Sequence, residues 1–168
     1  STVLLPRLSQ LSGDEGSRKD LTPLVARWVL WITFLAALLL AVIAMPLILL
    51  VFGKDFLGAF IPLLVLLPGT VLGAVSRILA NDIAARGRPE LNMYTSYMVV
   101  FINIVGNILL IPKWGITGAA IATSVAYSVN FGLRLVMHNR FTKVPIISSV
   151  ILGREDFVML KKLINNKL

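Results

Sequence analysis

Four apolar stretches, each long enough to cross a bilayer as a helix, constrain this chain more than any other feature. They cover residues 28–52, 56–80, 93–111 and 116–137 of 168. A hydrocarbon core of about 30 Å needs roughly 20 residues at 1.5 Å per residue. The first and third stretches carry no Asp, Glu, Lys or Arg; the second and fourth carry only Arg77 and Arg134, each near an end. Sheet strands are shorter, and transmembrane strands alternate apolar and polar residues. The expected fold is therefore all-α, a multispan transmembrane helical bundle. Composition agrees, with 57% hydrophobic and only 14% charged residues, against about 25% charged in soluble domains.

The connections predict where each helix begins and ends. Residues 7–27 read as a polar connection, and Thr22-Pro23 as a helix start with threonine as cap and proline at the first helical position. Pro46 predicts a kink near the far end of the first helix. Gly53-Lys54-Asp55 and Pro112-Lys113-Trp114-Gly115 read as turns. Pro62 and Pro68-Gly69 predict that the second helix is broken or strongly bent. Asn81-Asp82 and Arg86-Gly87-Arg88-Pro89-Glu90 read as a polar loop. Residues 138–168 form a cytoplasmic or interfacial tail. Within it Phe157, Leu160, Ile164 and Leu168 fall on one side of a helix opposite Lys161, Lys162, Asn165 and Asn166. That is the pattern of an amphipathic helix in the membrane interface, or of a tail in the cytosol.

Charge sets the orientation. With four crossings, 14 of the 16 Lys and Arg residues fall on one side and only Lys54 and Lys113 on the other. The positive-inside rule makes the basic side cytoplasmic, with the C-terminus there too. The net charge of +8 is thereby explained without nucleic acid. Trp28, Trp31, Tyr94, Tyr97 and Trp114 sit near helix ends, as interface anchors do.

Polar residues inside the apolar stretches are the candidate site. Asn103 and Asn107 share one helix face four residues apart. Thr123, Tyr127, Asn130 and Arg134 recur at four, three and four. An amide facing lipid costs several kcal/mol, so these faces turn inward, either as interhelical hydrogen bonds or as the wall of a hydrated substrate cavity. Arg77 and Arg134 either extend to the headgroups or contact an anionic ligand, for which the guanidinium fork is suited. Gly118, Ala122 and Ala126, and Gly69 with Gly73, predict close helix approach.

Cysteine is absent and His138 is the single histidine, so no thiolate or conventional zinc site is legible and no cofactor is expected. No HExxH, GxSxG or phosphate-binding glycine loop occurs, and Asp82 and Glu90 read as loop carboxylates rather than catalytic ones. Helices interrupted by proline or glycine and carrying polar faces suit a transporter better than an enzyme or a channel.

Several motifs resemble the polysaccharide-exporter, or oligosaccharide flippase, branch of the multidrug/oligosaccharidyl-lipid/polysaccharide flippase superfamily. They are Phe52-Gly53-Lys54-Asp55-Phe56, Ala59-Phe60-Ile61-Pro62-Leu63, Leu67-Pro68-Gly69 and Asn103-Ile104-Val105-Gly106-Asn107. The run Leu110-Ile111-Pro112-Lys113-Trp114-Gly115-Ile116-Thr117-Gly118-Ala119-Ala120-Ile121-Ala122-Thr123 completes the pattern, and Leu5-Pro6-Arg7-Leu8-Ser9 resembles the end of the family's eighth helix. The resemblance implies that the chain is most of the C-terminal lobe, helices nine to twelve, of a protein with twelve or fourteen. Its partners are then the missing N-terminal lobe, membrane lipids and a polyprenyl-diphosphate-linked glycan. The implied function is transport of that lipid-linked oligosaccharide across the cytoplasmic membrane by alternating access. A cation-coupled multidrug antiporter of the same superfamily, which needs a buried acid, and a non-transport membrane assembly protein are the alternatives.

Overall fold

The computed structural model describes residues 15–142, with side chains for 22–140. The expected amphipathic helix at 155–168 and the expected helix end before Arg7 lie outside the described residues. The described part is helical throughout apart from short turns, with no strand among the described residues. Helix α1 is Glu15–Val51, a 3₁₀ helix covers Lys54–Ala59, α2 is Phe60–Ala85, and α3 is Pro89–Thr142. The all-α multispan expectation is met. Three stretches, Thr22–Val51, Lys54–Ala85 and Pro89–Arg140, are long and apolar enough to cross a membrane.

Helix α3 is folded back on itself. Its 54 residues would reach about 80 Å if straight, well over twice the hydrocarbon thickness. Gly115 interrupts it with φ 55° and ψ −133°, a conformation that needs a residue without Cβ. The reversal brings 89–114 alongside 116–142. Asn103 bonds Thr123 across the pair, Gly106 meets Ala122, and Gly118 lies against the backbone of Leu110. The expected four-residue turn at 112–115 is thus narrowed to one glycine, because helical bonding continues through Pro112, Lys113 and Trp114.

Three other expectations change. Helix α1 begins at Glu15, so Thr22 and Pro23 lie inside it rather than at its start. Thr22 caps nothing; its hydroxyl donates to Asp82 of α2 instead. Helix α2 is not broken. Pro62 occupies its first turn, where no intrahelical N–H is needed, and the helix runs on through Pro68 to Ala85. It also extends past residue 80, so Asn81 and Asp82 belong to a helix and Asp82 is buried. The loop is only Arg86 to Arg88, turned at Gly87 with φ 76°.

Helix α2 is the central element, packed against both α1 and α3. Val71, Val75, Leu79 and Ile83 form its buried face, and Ala120 and Ala126 of α3 and Leu24 and Ala26 of α1 are buried as well. The small-residue expectations hold: Gly69 approaches Ser124 so closely that an added Cβ would lie 2.5 Å from the serine Oγ, and Gly73 lies under the ring of Tyr127. Large apolar side chains point outward instead, with Leu50 87% and Val42 72% exposed. Such a surface suits lipid or further helices rather than water.

Candidate functional site

The sequence-predicted residues fall into two groups, with Arg77 outside both. The first group lies inside the α3 hairpin. Asn107 Nδ2 donates to Asn103 Oδ1 at 2.9 Å, as residues four apart on one face can. Asn103 Nδ2 donates to Thr123 Oγ1 at 3.3 Å. The chain of amides ties the two arms together and leaves Asn107 Oδ1 buried with no hydrogen-bond partner.

The second group faces α2. The Tyr127 ring covers Gly73, which has no side chain to hold it off. Arg134 is buried at 8% exposure, and one guanidinium nitrogen donates to the Ser76 carbonyl at 3.1 Å. Its Nε has no hydrogen-bond partner, nor do Ser76 Oγ and Asn130 Oδ1. Among the described residues no carboxylate pairs with Arg134. A buried cation without a counter-ion is expensive. Arg134 thus turns into the bundle rather than out to the headgroups. Arg77 is exposed, on the outer side of the same helix that carries Ser76.

A third polar group was not anticipated from the sequence. Asp82 is buried at 7% exposure and joins three helices. Thr22 Oγ1 of α1 donates to its Oδ1 at 2.9 Å. Arg86 Nε, four residues on and just past the end of α2, donates to Oδ2 at 2.7 Å. His138 Nε2 of α3 lies 3.3 Å from the same Oδ2. A carboxylate in this position is tolerable because charged and polar donors replace its lost water. One sequence signal pointed here: extending the spacing Asn130, Arg134 by four reaches His138, the single histidine. Nothing in the sequence marked Thr22 as its neighbour.

One open groove is apolar. It measures about 430 Å³ and runs between α1 and α2, lined by residues such as Leu30, Phe34, Leu38, Leu67 and Val71. None of the polar candidates lines it.

Comparison with known proteins gives these groups a setting. Residues 1–161 match the family described as lipid II flippase MurJ. Among curated relatives, a probable low-salt glycan biosynthesis flippase, Agl15 of Haloferax volcanii, is 34% identical over 80 residues, covering 48% of this chain and 17% of the relative. An uncharacterised membrane protein of Methanocaldococcus jannaschii, MJ1068, is 32% identical over 130 residues, 76% of this chain and 25% of the relative. The capsular polysaccharide biosynthesis protein CapF of Staphylococcus aureus is 28% identical over 132 residues, 77% of this chain and 33% of the relative. The chain therefore spans a third or less of the length of these relatives. No solved structure matches it significantly.

Proposed function

The chain belongs to the lipid II flippase MurJ family, a transporter family of multi-pass membrane proteins, and from that premise we propose that it contributes to moving a lipid-linked glycan across the cytoplasmic membrane. It does so as part of a longer protein, by alternating access. The polyprenyl tail stays in the bilayer while the diphosphate and sugars pass through a hydrated path between this lobe and an N-terminal one. The observation carrying this reading is the set of buried polar atoms left without partners on inward helix faces: Asn107 Oδ1, Asn130 Oδ1 and Arg134 Nε. In a helix bundle that only needs to hold together, such atoms are costly. In a transporter they are the atoms a polar headgroup or its water engages. The printed names of two relatives, a glycan biosynthesis flippase and a capsular polysaccharide biosynthesis protein, support the same substrate class. The excess of basic residues on one side supports a cytoplasmic C-terminus.

The test is translocation of a fluorescent polyprenyl-diphosphate glycan by the complete protein in proteoliposomes. Each of Asn107→Leu and Arg134→Gln is expected to lower the rate roughly tenfold, the scale of losing one hydrogen bond to a charged group, at unchanged protein level. Absence of glycan movement by the folded parent protein overturns the substrate assignment. Movement of organic cations instead favours the antiporter.

A further inference from the structure

Helix α2 carries a proline in its interior, and a side chain from α3 is set into the turn beside it. Pro68 has no N–H, so the Leu64 carbonyl loses its intrahelical donor. The next rung of the ladder would join Gly69 N–H to Val65 C=O. Ser124 of α3 stands between these two groups. Gly69 N–H donates to Ser124 Oγ at 3.2 Å, and Ser124 Oγ donates to Val65 C=O at 2.7 Å. The hydroxyl bridges the rung. It reaches so far because Gly69 presents no Cβ; one placed there would lie 2.6 Å from Ser124 Cα.

We propose that Ser124 is a positioning residue that holds α2 open at Pro68–Gly69, and that the helix has a second arrangement in which the rung closes directly. In the second arrangement Gly69 N–H bonds Val65 C=O, and Ser124 turns back to the carbonyl four residues before it, Ala120. That partner is realistic, because serines in helices bond the preceding turn and Ser128 does so here, donating to Ser124 C=O at 2.8 Å. Gly69 N–H, Val65 C=O and the Ser124 hydroxyl are then satisfied in both arrangements. Within hydrocarbon this is the condition for a helix to change shape without exposing bare backbone. An inserted side chain and a proline are also the standard causes of a helix kink.

The two parts of α2 are held unequally. Residues 69–85 are tied to α3 through Gly69–Ser124, Ser76–Arg134 and Asp82–His138, and to α1 through Asp82–Thr22. Among the described residues, 60–67 share one side-chain hydrogen bond with another helix, the one Ser124 gives to Val65. The 60–67 arm is the part that moves when the bridge exchanges. The link to alternating access rests on the transport reading above; the exchange itself does not.

Spin labels at Ile61→Cys and Ala84→Cys, both on exposed positions of a chain free of cysteine, report the shape of α2 over about 35 Å. Measured by double electron–electron resonance in the complete protein in lipid, the ratio of the bridged to the direct distance component is expected to fall about tenfold in Ser124→Ala. Ser124→Thr keeps the hydroxyl and restores the parent ratio. A distribution that is the same in parent and Ser124→Ala overturns the proposal. So does an equal change in Ser124→Ala and Ser124→Thr, which makes the effect one of packing. If Ser124→Ala shifts the distances yet the parent moves no lipid-linked glycan, the hinge stands and the transport reading falls. If the parent moves glycan while the distances ignore Ser124, the reverse holds.

Discussion

Asp82 concentrates more structural consequence than any other single residue. Its carboxylate accepts from Thr22 and Arg86 and lies beside His138, so removing it leaves these three side chains facing one another. Asp82→Ala is expected to destabilise the complete protein by about 2–3 kcal/mol, the loss of charge-assisted bonds at a buried position. Thr22→Val removes one uncharged donor and is expected to cost about 1 kcal/mol. Thermal unfolding in a fixed detergent checks both; equal melting temperatures for Asp82→Ala and the parent would show that the cluster holds nothing. The sequence placed Asp82 in a loop because a charge a few residues past an apolar run looks solvated. Its burial depends on Thr22 and His138, 60 and 56 positions away, and no local pattern encodes such a meeting. Arg134, near the end of its run, left both directions open, but Asn103 and Asn107 were legible for the opposite reason. A polar residue deep in an uncharged run has only the bundle interior to turn to.

At the level of helices, the apolar runs and small-residue spacings were readable, but their partners were not. Gly69, Gly106 and Gly118 all sit where another backbone comes close. Spacing alone showed that some face was thin, yet not that Gly118 rests on Leu110 of the same folded-back helix. The serines of α3 show where the legibility stops. Ser128 bonds its own helix and Ser124 reaches into α2, while both are serines among apolar residues four apart. The breaks were overread, since Pro62 and Pro68 do not end α2; first-turn placement and a bridging hydroxyl accommodate them. Close packing also gives a graded prediction. An alanine Cβ at Gly118 falls on the Leu110 carbonyl, whereas one at Gly132 meets nothing within 4 Å. Gly118→Ala is expected to lose about 1–3 kcal/mol by forcing the hairpin apart. Gly132→Ala is expected to stay within about 1 kcal/mol of the parent, on the favourable side, through helix propensity. Melting temperatures of the pair measured side by side decide it, and an equal loss in both would remove the steric argument.

Across the whole molecule, two independent features bear on how the chain sits in a bilayer. One is the reversal at Gly115, which sets Lys113 at the end of the α3 hairpin remote from Glu90. The other is charge, with Lys54 and Lys113 as the two basic residues on one side when four crossings are assumed. The first is a matter of backbone geometry and the second of the cost of translocating lysine and arginine, so their agreement is not built in. Together they predict that Lys54 and Lys113 face the same compartment, outside the cytoplasm, and that Glu90 faces the cytoplasm. All three side chains are exposed, so cysteines there are reachable by a membrane-impermeant maleimide. In intact cells Lys54→Cys and Lys113→Cys are expected to label, and Glu90→Cys only after permeabilisation. Labelling of Lys113→Cys and Glu90→Cys from one side would mean that the hairpin does not span the membrane. The inverse of the expected pattern would keep four crossings and reverse the orientation, putting Arg134 and the Asp82 cluster at the outer rather than the inner end of the path.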